Sequence, residues 1–190
     1  MVFQKSNPDV SIEGDGMLLH YNTYFIGKDK SKWASNVNLF YSIKYKNLYE
    51  GIDLVYYENE GIFKHDFKVE TFADPSQIAI EFKDVDKLEI KNNQLLIHTS
   101  VNTVNYLEPF AYQIIDGKTI EVACNFNVKR KSLTYVFPDG YDNNYELIID
   151  PVVVFGSYSG STADNWGYTA TNDKEGNLYA GGSVFNIGYP

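Results

Sequence analysis

The stretch NLYEGIDLVYYENEGIFKHDFKV, residues 47–69, decides the fold. Two alternating runs, Ile52 to Glu58 and Ile62 to Val69, flank the polar turn Glu58-Asn59-Glu60-Gly61, the pattern of an antiparallel hairpin. With Asn59 and Glu60 as the loop, Tyr57 stands opposite Ile62, Tyr56 opposite Phe63, Leu54 opposite His65 and Ile52 opposite Phe67. One face is then apolar along both strands, which fixes a register. The other face sets Asp53 opposite Asp66, with Lys64 and Lys68 on either side of Asp66.

Working outward, Leu39, Tyr41, Ile43 and Tyr45 alternate with Asn38, Phe40, Ser42 and Lys44, which predicts a third strand adjacent to the hairpin. Beyond Val69, a turn over 70–76 leads to alternating Ile78, Ile80 and Phe82. Short strands are expected at 86–91, 94–99, 103–107, 110–115, 119–128, 132–137 and 145–149. The connecting pairs Asn92-Asn93, Asp116-Gly117 and Asp139-Gly140 tolerate positive φ. Upstream, residues 1–35 mix short extended pieces with turn residues. Met1-Val2-Phe3 reads as the end of a strand cut off from its beginning, Ser31 to Val37 as one helical turn, and Trp33 as the anchor of that loop. No window sustains a helical period, so the expected fold is all-β, an antiparallel β-sandwich-like domain with many hairpins. The missing crossovers exclude a parallel α/β sheet.

At Ile149-Asp150-Pro151 the texture changes from Lys- and Tyr-rich to Gly-, Ser-, Thr- and Asn-rich, which divides the chain into 1–150 and 151–190. The second part is 40 residues long, against roughly 40–45 for one propeller blade. VVVFGSY, NWGYTATN and NLYAGGSV read as three of its strands, with Asn172 to Asn177 as the hairpin turn. A lone blade cannot bury its faces, so this part calls for neighbouring repeats.

The chain is 44% hydrophobic and 16% aromatic, enough for a core of β structure. Its formal net charge is -9 and Arg130 is the one arginine, so phosphates and base edges have almost no bidentate reader and nucleic acid is excluded as a partner. Lys129-Arg130-Lys131 precedes the strand-like SLTYVF and marks a solvated hairpin turn. There is no transmembrane-length apolar run, and the first thirty residues lack a basic segment followed by an apolar one. Cys124 is the one cysteine, which excludes an intrachain disulfide or thiolate zinc site. Alternation with Ile120, Val122, Phe126 and Val128 puts it on the inner face of a strand as a buried, inert thiol.

Four segments in order, NTYFIGKDKSKWASNV, YKNLYEGIDLVYY, ADPSQIAIEF and ELIIDPVVVFGSYSG, together resemble the domain of unknown function that precedes SBBP repeats, the β-propeller repeats of large secreted bacterial proteins. The resemblance runs from about Tyr21 onward. Residues 154–184 are similar to a first SBBP repeat, with Asp173-Lys174-Glu175-Gly176-Asn177 as its D-x-x-G-N turn and Ser159 to Asp164 as a weaker version of its glycine-rich turn. The resemblance implies a long parent with a secretion signal before this segment and further repeats after it. It also implies relatives among gliding-motility-associated, type IX-sorted Bacteroidota proteins, which often carry PKD-like domains. In that family the place of His65 usually holds Tyr, which implies an aromatic-sized core position.

Candidate chemistry is sparse. Asp53 and Asp66, if opposite, form a carboxylate dyad in which one pKa rises, a setting for acid-base work or cation binding, although Lys64 and Lys68 can neutralise it. His20, His65 and His98 lack metal-ligand spacing. The acidic turns 139–144 and 172–177 lack the order of a calcium loop, and calcium is at most weakly supported. Gly181-Gly182 lies in a strand context, and no nucleophile-elbow or phosphate-loop motif occurs. No catalytic, cofactor or metal residues are therefore assigned. The expected function is a non-enzymatic, adhesin-like structural and interaction module of a secreted or cell-surface SBBP-repeat protein. It packs on or caps the propeller repeats of its parent chain, with cell-surface polysaccharide or protein as a further partner. The tyrosine surplus raises a carbohydrate-binding module as the alternative, and an accessory domain of an extracellular hydrolase as the second.

Overall fold

A computed structural model describes residues 1–59, 62–100, 103–151, 153–154, 164–172 and 178–185. The described residues form antiparallel sheets, with two 3-10 turns, Lys30–Lys32 and Pro75–Gln77, in place of longer helices. The strands are β1 (Val2–Phe3), β2 (Ser11–Tyr24), β3 (Ala34–Tyr49), β4 (Ile52–Asn59), β5 (Ile62–Val69), β6 (Ile80–Glu81), β7 (Lys87–Lys91), β8 (Gln94–His98) and β9 (Thr103–Tyr106). They continue as β10 (Phe110–Ile115), β11 (Lys118–Val122), β12 (Asn125–Lys129), β13 (Ser132–Val136), β14 (Leu147–Asp150), β15 (Val153–Val154), β16 (Asp164–Asn172) and β17 (Leu178–Phe185).

A seven-stranded sheet in the order β11-β10-β14-β5-β4-β3-β2 dominates the structure. Two four-stranded sheets, β1-β6-β13-β12 and β15-β9-β8-β7, accompany it. All three feed one core, because alternate residues of each strand share a face. Ile52, Leu54, Phe67 and Val69 of the central hairpin are almost wholly buried with Leu147 and Ile149 of β14. Phe67 touches Phe3 and Tyr135 of the facing sheet edge-on, at ring centroid distances of 6.2 and 6.0 Å.

The hairpin forms where the alternation places it, but two residues out of the expected register. Ile52 pairs with Val69, Leu54 with Phe67, Tyr56 with His65 and Asn59 with Ile62, and residues 60–61, which include the expected loop residue Glu60, lie outside the described residues. A slip of two keeps every side chain on its own face, which is why the apolar pattern could not detect it. Its consequence falls on the outer face, where Asp53 stands opposite Lys68 and Val55 opposite Asp66. The expected Asp53–Asp66 dyad does not exist.

The predicted strand 119–128 is two strands in different sheets. β11 closes one edge of the large sheet and β12 joins the sheet of β13, with the chain crossing between them at Ala123 and Cys124. Cys124 and Val122 are buried as expected, but Ile120, farther along β11 from the crossing, is exposed. The Ser31 to Val37 helical turn is instead the 3-10 turn Lys30–Lys32, capped by the Asp29 carboxylate, and β3 begins at Ala34. Ile78 closes the Pro75–Gln77 turn, which leaves Ile80–Glu81 as the strand. β15 pairs with β9, so the chain still contributes to this body beyond Asp150. β16 and β17 pair as a hairpin; the intervening turn 173–177 and residues 155–163 lie outside the described residues.

The long β2 strand has no counterpart among the short extended pieces expected before residue 35. With β3 it forms an arm in which no β2 residue is buried, and its ladder shifts register after Met17. Gly16 sits at φ 66 beside the Tyr41 ring, and a Cβ on Gly14 would stand 2.5 Å from the Phe40 ring. Two glycines on β2 therefore make room for two aromatic rings on β3. The aromatic residues span the full range of burial: Phe67 is wholly buried, whereas Tyr41 is 72% exposed. Phe67→Ala should lower unfolding free energy by about 3–5 kcal/mol, and Tyr41→Ala should change it by about 0.5 kcal/mol or less. Urea denaturation of both variants checks this contrast; equal losses would contradict the layering.

Candidate functional site

The turn before the hairpin is built locally. Asn47, at φ 53, accepts the Gly51 N–H at 3.2 Å through Oδ1, and its own N–H donates to Asp53 Oδ1 at 2.8 Å. Asp53 also lies 3.8 Å from Lys44 Nζ. This carboxylate shapes a turn and faces two cations.

Asp66 meets a different acid. Strand β14 lies beside β5, Ile148 opposite Lys68, and continuing that register brings Asp150 of β14 alongside Asp66 on the outer face. Lys64 Nζ donates to Asp150 Oδ2 at 2.6 Å, with both side chains only about one-sixth exposed. Tyr57 Oη donates toward both Asp66 oxygens, at 3.0 and 3.1 Å, while Lys64 lies 6.0 Å from the Tyr57 ring centroid. Tyr112, on β10 opposite Ile148, adjoins the cluster and stacks on Phe110 at 5.5 Å. Burial, reinforced by the Asp150 carboxylate, pushes the Asp66 pKa up to about 6, despite the Tyr57 hydrogen bond and Lys64 and Lys68. The Tyr57 hydroxyl is pushed well up by the same burial and carboxylates. Asp150 Oδ1 is buried without a hydrogen-bond partner. Because most of its donors and acceptors are spent on one another, the arrangement pins β14 to β5 and leaves little for a substrate.

The histidines do not converge. His20 is exposed on β2. His98 contacts Thr103 Oγ1 at 3.1 Å and Glu89 at 3.4 Å on a small-sheet surface. His65 is buried between Tyr56 and Phe67, at 5.5 and 5.9 Å, with Nε2 unpartnered. Burial lowers its pKa to about 4, so it is a neutral core ring. Burial pushes the Cys124 thiol up to about 12, which makes it a poor nucleophile. In the turn 139–144, Asp142 accepts the Asn144 N–H at 2.9 Å and its Nδ2 at 2.7 Å, so turn formation uses this carboxylate. Arg130 sits at φ 60 in the β12–β13 turn, as the basic triplet suggested. Among the described residues no three His, Cys, Asp or Glu side chains are grouped to hold a metal ion. Among them, too, no helix is long and apolar enough to cross a membrane.

The open feature lies where the core face of the large sheet runs past its cover. Along β4 and β5 burial gives way from Leu54 and Phe67 to half-buried Tyr56 and then exposed Phe63. A groove of about 490 Å³ opens there, lined by Phe40, Tyr41, Tyr45, Tyr56, Tyr57 and Phe63 with Ile43, and with Ser42 and Glu58 as its polar members. Tyr56 stacks on Phe63 at 5.3 Å and meets Tyr45 edge-on at 5.8 Å. On the β2–β3 arm and the loop that follows β2, Leu19, Tyr21, Phe25 and Ile26 are exposed, and Phe25 packs edge-on to Trp33 at 5.0 Å. Sequence alternation marked Tyr41, Tyr45, Tyr56 and Phe63 as strand residues, but nothing local signalled that their face would lie beyond the covering sheet.

One protein family matches residues 1–152, the domain of unknown function DUF7948. The chain belongs to that family. The resemblance to a domain of unknown function is therefore shown at this level, and the aromatic groove, the β2–β3 arm and the Asp66–Asp150 cluster all lie within the DUF7948 domain. No curated protein and no solved structure matches the chain.

His65 and Asp66 give the DUF7948 domain opposing pH responses. The unfolded chain protonates His65 below about 6.5 and the folded chain only near 4, so stability falls as pH drops through that window. The folded chain protonates Asp66 near 6 and the unfolded chain near 3.8, so stability rises as pH drops through nearly the same window. In His65→Phe stability should rise between pH 6.5 and 4. In Asp66→Asn it should fall by about 2 kcal/mol between pH 7 and 5. The wild-type profile lies between, tilted toward His65 because solvent screens half-buried Asp66 more than the buried ring. Chemical denaturation at several pH values reads these slopes, and parallel profiles for all three proteins would contradict the assignment.

Proposed function

We propose that the DUF7948 domain is a non-enzymatic interaction module of a secreted or cell-surface SBBP-repeat protein of the gliding-associated, type IX-sorted kind. One end packs on or caps the first propeller repeat and the β2–β3 arm makes adhesive contact. The observation that carries this reading is the uncovered arm and groove on a densely packed body. Monomeric proteins rarely expose contiguous apolar surface of this kind without a partner to cover it. The inward turn of the charged groups supports a non-catalytic role, since Tyr57 engages Asp66, Lys64 engages Asp150, and His65 and Cys124 are buried. The repeat-like texture of 151–190 and the β16–β17 hairpin support propeller repeats as the neighbour of this domain, because an isolated two-stranded hairpin is marginal in water.

The test is the intact mass and cellular distribution of the native protein. A product well above 21.7 kDa in the outer membrane or medium is expected. A 21.7 kDa product confined to the cytoplasm would overturn the parent architecture.

A further inference from the structure

We infer that the aromatic groove between β3, β4 and β5 binds a neutral polysaccharide through stacked hexose rings, an inference that rests on the interaction-module reading and names the partner of that surface. Among the described residues, six of the nine that line the groove are aromatic, four of them tyrosine, and Ile43 is the one aliphatic member. A pyranose presents apolar C–H faces and a polar hydroxyl edge. Rings that combine an apolar face with a phenolic tip match both, whereas an aliphatic protein surface would find one aliphatic counterpart.

The wall is also held in place before any ligand arrives. Tyr56 is braced by Tyr45, Phe63 and His65. Fixed rings cost little conformational entropy on binding. Charge selects among sugars. The chain carries a net charge of -9, Glu58 lines the groove, and the neighbouring Lys64 is committed to Asp150. An acidic polysaccharide is repelled and a neutral one is not. Exposed rings at Tyr21, Tyr24 and Phe25 on the arm offer further stacking positions, in keeping with a polymer rather than a single sugar.

Titration calorimetry with cellohexaose, mannohexaose and chitohexaose, and with an acidic galacturonate hexamer as contrast, tests this on the 190-residue chain. Binding of at least one neutral oligomer is expected, with the galacturonate hexamer bound more weakly. Tyr41→Ala and Phe63→Ala, both at exposed positions, should weaken binding about tenfold or more while the unfolding midpoint stays in place. No binding to any neutral oligomer, equal binding of the acidic one, or unchanged affinity in both variants would overturn the site. Self-association by light scattering that is lost in Phe63→Ala would assign the groove to a second copy and overturn it as well. If no sugar binds while the native parent is still found at the cell surface, the polysaccharide inference falls and the module reading stands.

Discussion

Burial of one face of the β4–β5 hairpin, Ile52 and Leu54 beside Phe67 and Val69, is the constraint on which the rest depends. These side chains are in contact with Leu147 and Ile149 in the same sheet and with Phe3, Leu133 and Tyr135 from the facing one. Removing that apolar area from water stabilises the body by roughly 1.5–3 kcal/mol for each fully buried large side chain. It also pulls β14, distant in sequence, next to β5. The Lys64–Asp150 pair and the raised Asp66 exist because the core demands that adjacency. Buried ion pairs seldom add net stability once desolvation is counted, so the cluster is a consequence of the packing more than its cause.

The same sheet explains where interaction is possible. Its core face is longer than the sheet that covers it, so the aromatic lining grades from buried Phe67 through Tyr56 to open Phe63 without a break. β2 is the edge strand, a position at which unpaired backbone invites other chains. Here the register shift after Met17 and the positive φ of Gly16 interrupt the ladder, which directs contact to side chains rather than to strand addition.

Much of this was legible from residues alone, and the limits have physical causes. Period-two alternation revealed β3, β4, β5 and most later strands, along with the inner faces that bury Leu54, Phe67 and Cys124. It could not separate registers that differ by two, so the acid facing Asp66 was misassigned; the real neighbour, Asp150, is brought in by the long-range β5–β14 pairing, which also sets Lys64 against Asp150, 86 residues apart, and which no local pattern encodes. A face that alternates cleanly through Val122 to Phe126 hid a crossing between sheets, because both halves point to one core. β2 escaped notice because its side chains are exposed and a solvent-facing strand interrupted by glycine has no alternation to read. The groove was visible only as a surplus of tyrosine until the uncovered end of the sheet gave it a place.

The most direct measurement is amide hydrogen exchange along β3 in the isolated chain, because this one strand runs from the buried core out into the arm. The account predicts strong protection at Leu48 and Tyr49, falling steeply toward Asn38 and Tyr41, since slow exchange follows burial and cooperative packing. Uniform protection from 34 to 49 would show that the arm and the groove beside it are covered within this chain, and would contradict the view of them as its interaction surface.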